Sequence, residues 1–253
     1  MRRLKVNDKF EKLIDRLSQK IRLSANPVPG FIVGLSGTDS IVTFILLYEA
    51  LKRYNREDRL YGIHYVNEYR KKPSWFEKDI IPWLAETYPN TRLEVHTPLG
   101  GNFDQQRWAD LHLRALNEIV VNGFGEKKLK LFDPGQNYWV SGCMNATEKA
   151  LGNYSILSNS VSIQPIQTIY KGEILDICVE HNVPEIAIEM SQIPDCFCGR
   201  EEIAAHNVRL IDEIITYKLD PSKYDPELLA EVYAYVQETK RANDFKNRTP
   251  FNV

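Results

Sequence analysis

The chain has 253 residues, 43% of them hydrophobic, which is enough apolar material for one large core. Its 32 basic and 34 acidic residues leave a formal net charge of −2, which supplies no basic field for nucleic acid or an anionic membrane surface. No stretch approaches the ~20 apolar residues that a bilayer-spanning helix needs, so neither a nucleic-acid nor a membrane partner is expected.

Phe10, Leu13, Leu17 and Ile21 recur at helical spacing and predict an amphipathic helix over 7–23, stopped by Pro27-Val-Pro-Gly30. The apolar run 31–35 follows turn residues, the mark of a buried parallel strand. The next run, 41–51, is too long and continuous for a strand and reads as a helix buried on most sides. Strands are then predicted over 60–66, 92–97 and 138–142. Helices alternate with them over 74–87, capped by Ser74, and over 104–122 and 146–152. This alternation predicts an α/β fold, a Rossmann-like parallel sheet with helices on both faces.

The segment 123–136 reads as a lysine-rich surface insertion or flap. From residue 170 the pattern is mostly helical. Ile174, Ile177 and Cys178 form one stripe, and Ile203, Val208, Ile211 and Ile215 another. Asp225-Pro226 starts a further helix, with Asp as cap and Pro at the first helical position. No boundary interrupts the chain. A single domain over 1–253 is expected, with the N-terminal helix 7–23 and a mostly helical part over 170–253.

The first ten residues are polar and lack the apolar run of a secretory leader, so a cytoplasmic location with reduced cysteines is expected. Cys196 and Cys198 form a Cys-x-Cys, whereas a zinc site usually needs a wider pair and two further ligands. Cys143 and Cys178 lie far away in sequence, and two small residues in a turn is the favoured reading.

In an open α/β sheet, ligands bind beyond the carboxyl ends of the strands. The first strand delivers Leu35-Ser-Gly-Thr-Asp-Ser40 directly before a helix start, where unpaired N–H groups and the helix dipole suit phosphate. Gly34 and Gly37 let the backbone approach an anion, and Ser36 and Ser40 add hydroxyl donors. Asp39 would repel phosphates unless a cation lay between, which makes it a candidate Mg²⁺ ligand. A plain helix cap by Ser36, Thr38 or Asp39 would account for the same residues. No Gly-x₄-Gly-Lys-Ser/Thr sequence supports an ordinary P-loop NTPase.

Leu35-Ser-Gly-Thr-Asp-Ser40 resembles the Ser-Gly-Gly-x-Asp-Ser loop of the ATP-pyrophosphatase (PP-loop) superfamily, whose fold is adenine nucleotide alpha hydrolase-like. Ser141-Gly-Cys-Met-Asn-Ala-Thr-Glu-Lys-Ala-Leu-Gly-Asn-Tyr-Ser155 is similar to the Gly-Thr-x-x-x-x-Glu-x-x-x-Gly-Phe-x-Thr segment of ammonia-dependent NAD synthetases. Pro165-Ile-Gln-Thr-Ile-Tyr-Lys171 resembles that family's Pro-(Ile/Leu)-x-x-Leu-x-Lys, and Leu210-Ile-Asp-Glu-Ile214 its Tyr-x-x-(Ile/Leu)-Asp stretch. Gln106-Arg107-Trp108 and Phe245-Lys-Asn-Arg-Thr-Pro250 match more faintly.

The resemblance implies ATP and Mg²⁺ as cofactors, with ATP bound by Gly34, Leu35, Ser36, Gly37, Thr38, Ser40 and Arg107. Asp39 and Glu148 would hold the metal, Asp39 and Lys171 would be catalytic, and Asn153, Ser155 and Lys246 would contact the second substrate. It implies adenylation of nicotinic acid adenine dinucleotide and ammonia transfer to give NAD, AMP and pyrophosphate, in a homodimer with small-molecule partners only.

Three departures mark this chain. Its loop is one residue shorter than the family's, Ile156-Leu-Ser-Asn-Ser160 replaces a Lys-(Tyr/Phe)-Gly-Asp-Gly segment that contacts the dinucleotide, and Asp195-Cys-Phe-Cys-Gly-Arg-Glu-Glu202 replaces the family's acidic segment before the penultimate helix. Two alternatives therefore stand beside the synthetase. One is another ATP-pyrophosphatase, such as a 7-cyano-7-deazaguanine synthase-like enzyme; the other is a degenerate, non-catalytic nucleotide binder.

Overall fold

The computed structural model describes residues 6–24, 29–66, 74–97, 103–123, 138–193 and 201–248. Its sheet has four parallel strands: β1 (Gly30–Leu35), β2 (Leu60–Tyr65), β3 (Arg92–His96) and β4 (Tyr138–Ser141), in the order β3-β2-β1-β4. All six residues of β2 are buried, as an interior parallel strand requires. The edge strand β3 instead carries Arg92, Glu94 and His96, charged or polar side chains that discourage pairing with another chain.

The helices follow in chain order: α1 (Val6–Ser24), α2 (Thr38–Lys52), α3 (Ile81–Thr87), α4 (Phe103–Gly123), α5 (Ala146–Leu151), α6 (Lys171–Glu180), α7 (Glu185–Ser191), α8 (Glu202–His206), α9 (Val208–Ile215) and α10 (Pro226–Asn243). Successive side chains of a strand point to opposite faces. Phe31, Val33 and Leu35 of β1 enter the larger core with α1, α2, α6 and α7, whereas Ile32 packs with Leu111 and Ala115 of α4. Helices therefore cover both faces of the sheet. Leu151, Leu210, Ile211, Ile214, Val232 and Val236 form a separate cluster that joins α5, α9 and α10.

Most predicted elements occur within a residue or two of their expected ends. Ser74 caps as expected: Glu77 N donates to Ser74 Oγ at 3.4 Å, and Ser74 N donates to Glu77 Oε1 at 3.1 Å. A wide turn over Phe76–Ile80 then precedes α3.

Three findings differ from expectation. α2 begins at Thr38 rather than 41, because Thr38 and Ser40 are polar yet buried at 1% and 2% exposure. The stripe from Ile203 to Ile215 is broken at Asn207, whose Nδ2 donates to the Ile203 carbonyl at 3.0 Å and ends α8. The helix expected over 104–122 runs on through Gly123; residues 124–136 of the proposed insertion, like Cys196 and Cys198, lie outside the described residues. No helix among the described residues is long and apolar enough to cross a membrane.

The strand order positions the site. From β1 the chain adds β2 and then β3 on one side, and β4 on the other. At such a switch point the connections leaving β1 and β4 diverge and open a crevice at the carboxyl ends of the strands.

Candidate active site

One wall of the crevice is the turn from β1 into α2. Ser40 Oγ accepts from Ser36 N at 2.8 Å and Gly37 N at 3.1 Å, and donates to the Gly37 carbonyl at 2.7 Å. Ser40 thus shapes the loop through its own hydroxyl. The first bond along α2 runs from Ile41 N to the Gly37 carbonyl at 3.0 Å. The N–H groups of Thr38 and Asp39 consequently have no acceptor within their helix. A Cβ built on Gly37 would meet no atom within 4 Å, so this glycine borders open space. A Cβ built on Gly34 would lie 3.4 Å from Leu111 Cδ1 of α4, on the face of the sheet that α4 covers.

The opposite wall is the turn from β4 into α5, shaped by Gln164. A Cβ on Gly142 would fall 2.3 Å from the Gln164 amide, whose oxygen accepts from Met144 N at 3.2 Å. Asn145 caps α5. Its Oδ1 accepts from Glu148 N at 2.8 Å, and Glu148 Oε2 accepts from Asn145 N at 3.2 Å. The Asn145 amide also reaches across the crevice, with Nδ2 donating to Asp39 Oδ1 at 2.7 Å.

A third element, α6, delivers Lys171. Its ammonium forms an ion pair with Asp39 and donates to Thr38 Oγ1 at 2.8 Å. Both partners are largely enclosed, at 13% and 20% exposure for Lys171 and Asp39, so bulk water screens the pair less than a surface one. Thr38, Asp39, Asn145 and Lys171 thus form one connected cluster drawn from three elements.

The Cys143 thiol reports on the field between the walls. It donates toward the Gly34 carbonyl at 4.0 Å, and burial pushes its pKa to about 12, with smaller upward effects from Asp39 and Glu148 and a downward one from Arg107. All three charged groups lie within electrostatic reach of that sulfur. Glu148 is tied to the crevice through Asn145. The Arg107 guanidinium, on α4, lies 5.7 Å from the Trp108 ring centroid.

Beside the β4 wall lies a second cavity of about 510 Å³, lined by Met144, Lys149, Tyr154, Ile156, Gln167 and Lys246 among others. Lys246 donates to the Tyr154 carbonyl at 3.0 Å, and burial lowers its pKa. Asn153 and Ser155 do not line this cavity; Tyr154, between them, does. Gly152, at φ +68°, ends α5 in the left-handed conformation that starts this segment.

Sequence reasoning passed over Asn145, Thr147 and Asp212 as site residues. The Asn-x-x-Glu spacing of a capping box was present for Asn145. Asp212 carried no local signal of function beyond the family-like stretch around it. Among the described residues, no group of three or more His, Cys, Asp or Glu side chains gathers to hold a metal ion.

No family model matches the chain. An NH(3)-dependent NAD(+) synthetase from Trichlorobacter lovleyi is 28% identical over 139 residues, 49% of this chain and 50% of that relative. The match thus spans about half the length of the curated relative. The NH3-dependent NAD synthetase from Campylobacter jejuni, solved in complex with the nitrate ion, superposes with a TM-score of 0.61 at 18% identity, over 99% of this chain and 100% of that one. NAD+ synthetase from Burkholderia pseudomallei gives a TM-score of 0.57 at 13% identity, over 98% and 92% of the two chains. The chain therefore resembles ammonia-dependent NAD synthetases in sequence over half its length and in fold over nearly all of it.

Proposed function

We propose that the crevice between β1 and β4 takes ATP with Mg²⁺, and that the chain cleaves ATP to AMP and pyrophosphate while turning a carboxylate into an amide. The observation that carries this reading is the cluster of Thr38, Asp39, Asn145 and Lys171 at the switch point of the sheet. By the likeness to NAD synthetases, the acid is nicotinic acid adenine dinucleotide and the product NAD.

The donor set fits the metal. Mg²⁺ ordinarily takes one or two carboxylates, with phosphate oxygens and waters completing its shell. Asp39 and Glu148, linked through Asn145, are such a pair. Bound there, Mg²⁺ would neutralise charge on the phosphates.

The chain's own residues supply the rest. N–H groups of Thr38 and Asp39 face an anion at the start of α2, where the helix dipole is positive. Lys171 exchanges Asp39 for the β- and γ-phosphates and offsets charge as pyrophosphate departs. The substrate carboxylate oxygen bonds to the α-phosphorus while the bond to the β-phosphate oxygen breaks. Ammonia then adds at the acyl carbon, AMP leaves with the bonding pair, and a proton is lost to solvent. Neither step uses a protein nucleophile; holding the reactants in line is the enzyme's task. The cavity beside Met144, with Lys149 and Lys246 on its wall, supports a place for the acid's anionic portion.

For the homodimer that the resemblance implies, the support is an apolar face on α4, where Leu113 and Leu116 are each 57% exposed. Light scattering of the purified protein tests it.

The decisive assay combines ATP, Mg²⁺, ammonium and nicotinic acid adenine dinucleotide, with products read by mass spectrometry. Equal AMP and NAD formation is expected. AMP without NAD would redirect the reading to another acid, and ATP binding without AMP would overturn catalysis. Asp39→Ala should lower AMP release by about 100-fold or more, the scale of losing one preorganised electrostatic group, with the melting temperature within a few degrees of wild type.

A further inference from the structure

Asp212, on α9, touches the element that aims Lys171. The residue before α6, Tyr170, gives the helix no side-chain cap. The first N–H groups of a helix nonetheless need acceptors from outside it. Here they come from two other helices. Lys171 N donates to Thr147 Oγ1 of α5 at 2.9 Å, and Gly172 N donates to Asp212 Oδ2 of α9 at 2.7 Å. The Thr147 hydroxyl closes the circuit by donating to Asp212 Oδ1 at 2.5 Å.

Gly172 makes this approach possible, because even a Cβ at that position would lie 3.0 Å from Asp212 Oδ2. The carboxylate also answers an electrostatic problem. Lys171 is the first residue of α6, where the helix dipole disfavours a cation, and an anion at the same end offsets that field.

We propose that Asp212 is a positioning residue: by holding the start of α6 through Gly172 and Thr147, it keeps the Lys171 ammonium on Thr38 and Asp39. Burial raises the Asp212 carboxyl to about 6, opposed by its bonds to Thr147 and Gly172, so near neutral pH it remains mainly an acceptor at some desolvation cost. A group retained at that cost is consistent with a task beyond packing. The benefit to turnover rests on the role given to Lys171 above; the placement itself does not, and the test separates the two.

In protein carrying ¹³C-labelled lysine, the Lys171 ε-carbon resonance is identified by its loss in Lys171→Arg. In Asp212→Asn it should move toward the values of the exposed Lys52 and Lys223, while those two resonances stay in place. Thr147→Val, which removes the acceptor for Lys171 N and leaves Asp212 intact, should move it in the same direction by less. An unchanged Lys171 signal in both folded variants overturns the proposal. So does a shift of all three lysines together, which would mark a general loss of structure.

On the same proteins, binding of the non-hydrolysable α,β-methylene analogue of ATP with Mg²⁺ should weaken by about tenfold in Asp212→Asn, the scale of one hydrogen bond to a charged group. It should weaken no further when Asp212→Asn is added to Lys171→Ala. Additive losses in that pair overturn the proposal. If the wild type binds no analogue, the assignment of the crevice to ATP falls, and the lysine resonance still decides the role of Asp212.

Discussion

Asn145 holds three bonds with one side chain and one N–H, two to Glu148 within its capping box and one across the crevice to Asp39. Asn145→Asp keeps an acceptor for Glu148 N but sets a second carboxylate against Asp39. Replacing a cap by one of similar strength costs little stability, whereas like charges at hydrogen-bond distance repel. The expected outcome is a urea midpoint close to wild type with KM for ATP raised about tenfold or more, for a lost charge-assisted bond. A fall in stability with KM unchanged would mean that Asn145 is only a cap.

At this scale the sequence was legible where a residue was chemically odd for its surroundings. A carboxylate among glycine and hydroxyl residues before a helix singled out Asp39. Lys171 stood out only through the family-like segment ahead of it. Asp212 lay inside a family-like stretch but received no role, because its contacts reach 65 residues back to Thr147 and 40 back to Gly172, and no local pattern records such pairs.

Elements were legible where burial imposes a period. The runs that became β1 and β2 are nearly continuous in apolar residues because helices cover the sheet on both faces. The start of α2 was hidden for the opposite reason. Thr38 and Ser40 look like loop residues and are buried through hydrogen bonds to the site and to the loop itself. The break at Asn207 was hidden because the apolar stripe continues across it into α9.

Gly152 carries an elemental prediction. Its φ of +68° suits glycine, and a Cβ would lie 2.5 Å from Asn243 Cβ and 2.9 Å from the Asn243 carbonyl oxygen on α10. Gly152→Ala should therefore destabilise the fold by about 1–3 kcal/mol, combining left-handed strain with a backbone clash. Chemical denaturation would measure it; a neutral result would mean that α5 and α10 can separate freely.

For the molecule as a whole, alternating strands and helices announced a parallel sheet, but not the order of its strands. That order depends on which side of β1 each crossover returns, and the crossover lengths alone do not encode it. The crevice was thus predicted as a strand end, Glu148 of its second wall was implied only by the family resemblance, and the strand order that sets the two walls side by side came with the fold.

The Asp212 carboxyl also gives the whole molecule a pH signature. Its pKa rises from 3.8 to about 6 on folding, mainly by burial. The folded chain then holds that proton more tightly than the unfolded one. The resulting stabilisation is complete below about pH 4 and is lost as pH rises through about 6. Relative to Asp212→Asn, the wild type should lose up to about 3 kcal/mol of unfolding free energy between pH 4 and 7. Parallel urea titrations of the two proteins would show it; a constant difference would place the folded pKa near its ordinary value.

The mutual neutralisation of Lys171 and Asp39 has a consequence for admission. A lone divalent cation approaching the carboxylate meets an ammonium already there, and a lone polyanion approaching the ammonium meets a carboxylate. Only a guest bringing both signs together lets each partner trade its neighbour for a like-signed substitute. Calorimetry should accordingly find Mg²⁺ alone, and ATP with the metal chelated, each bound more weakly than the two combined, so that the crevice selects by charge pattern before shape is tested.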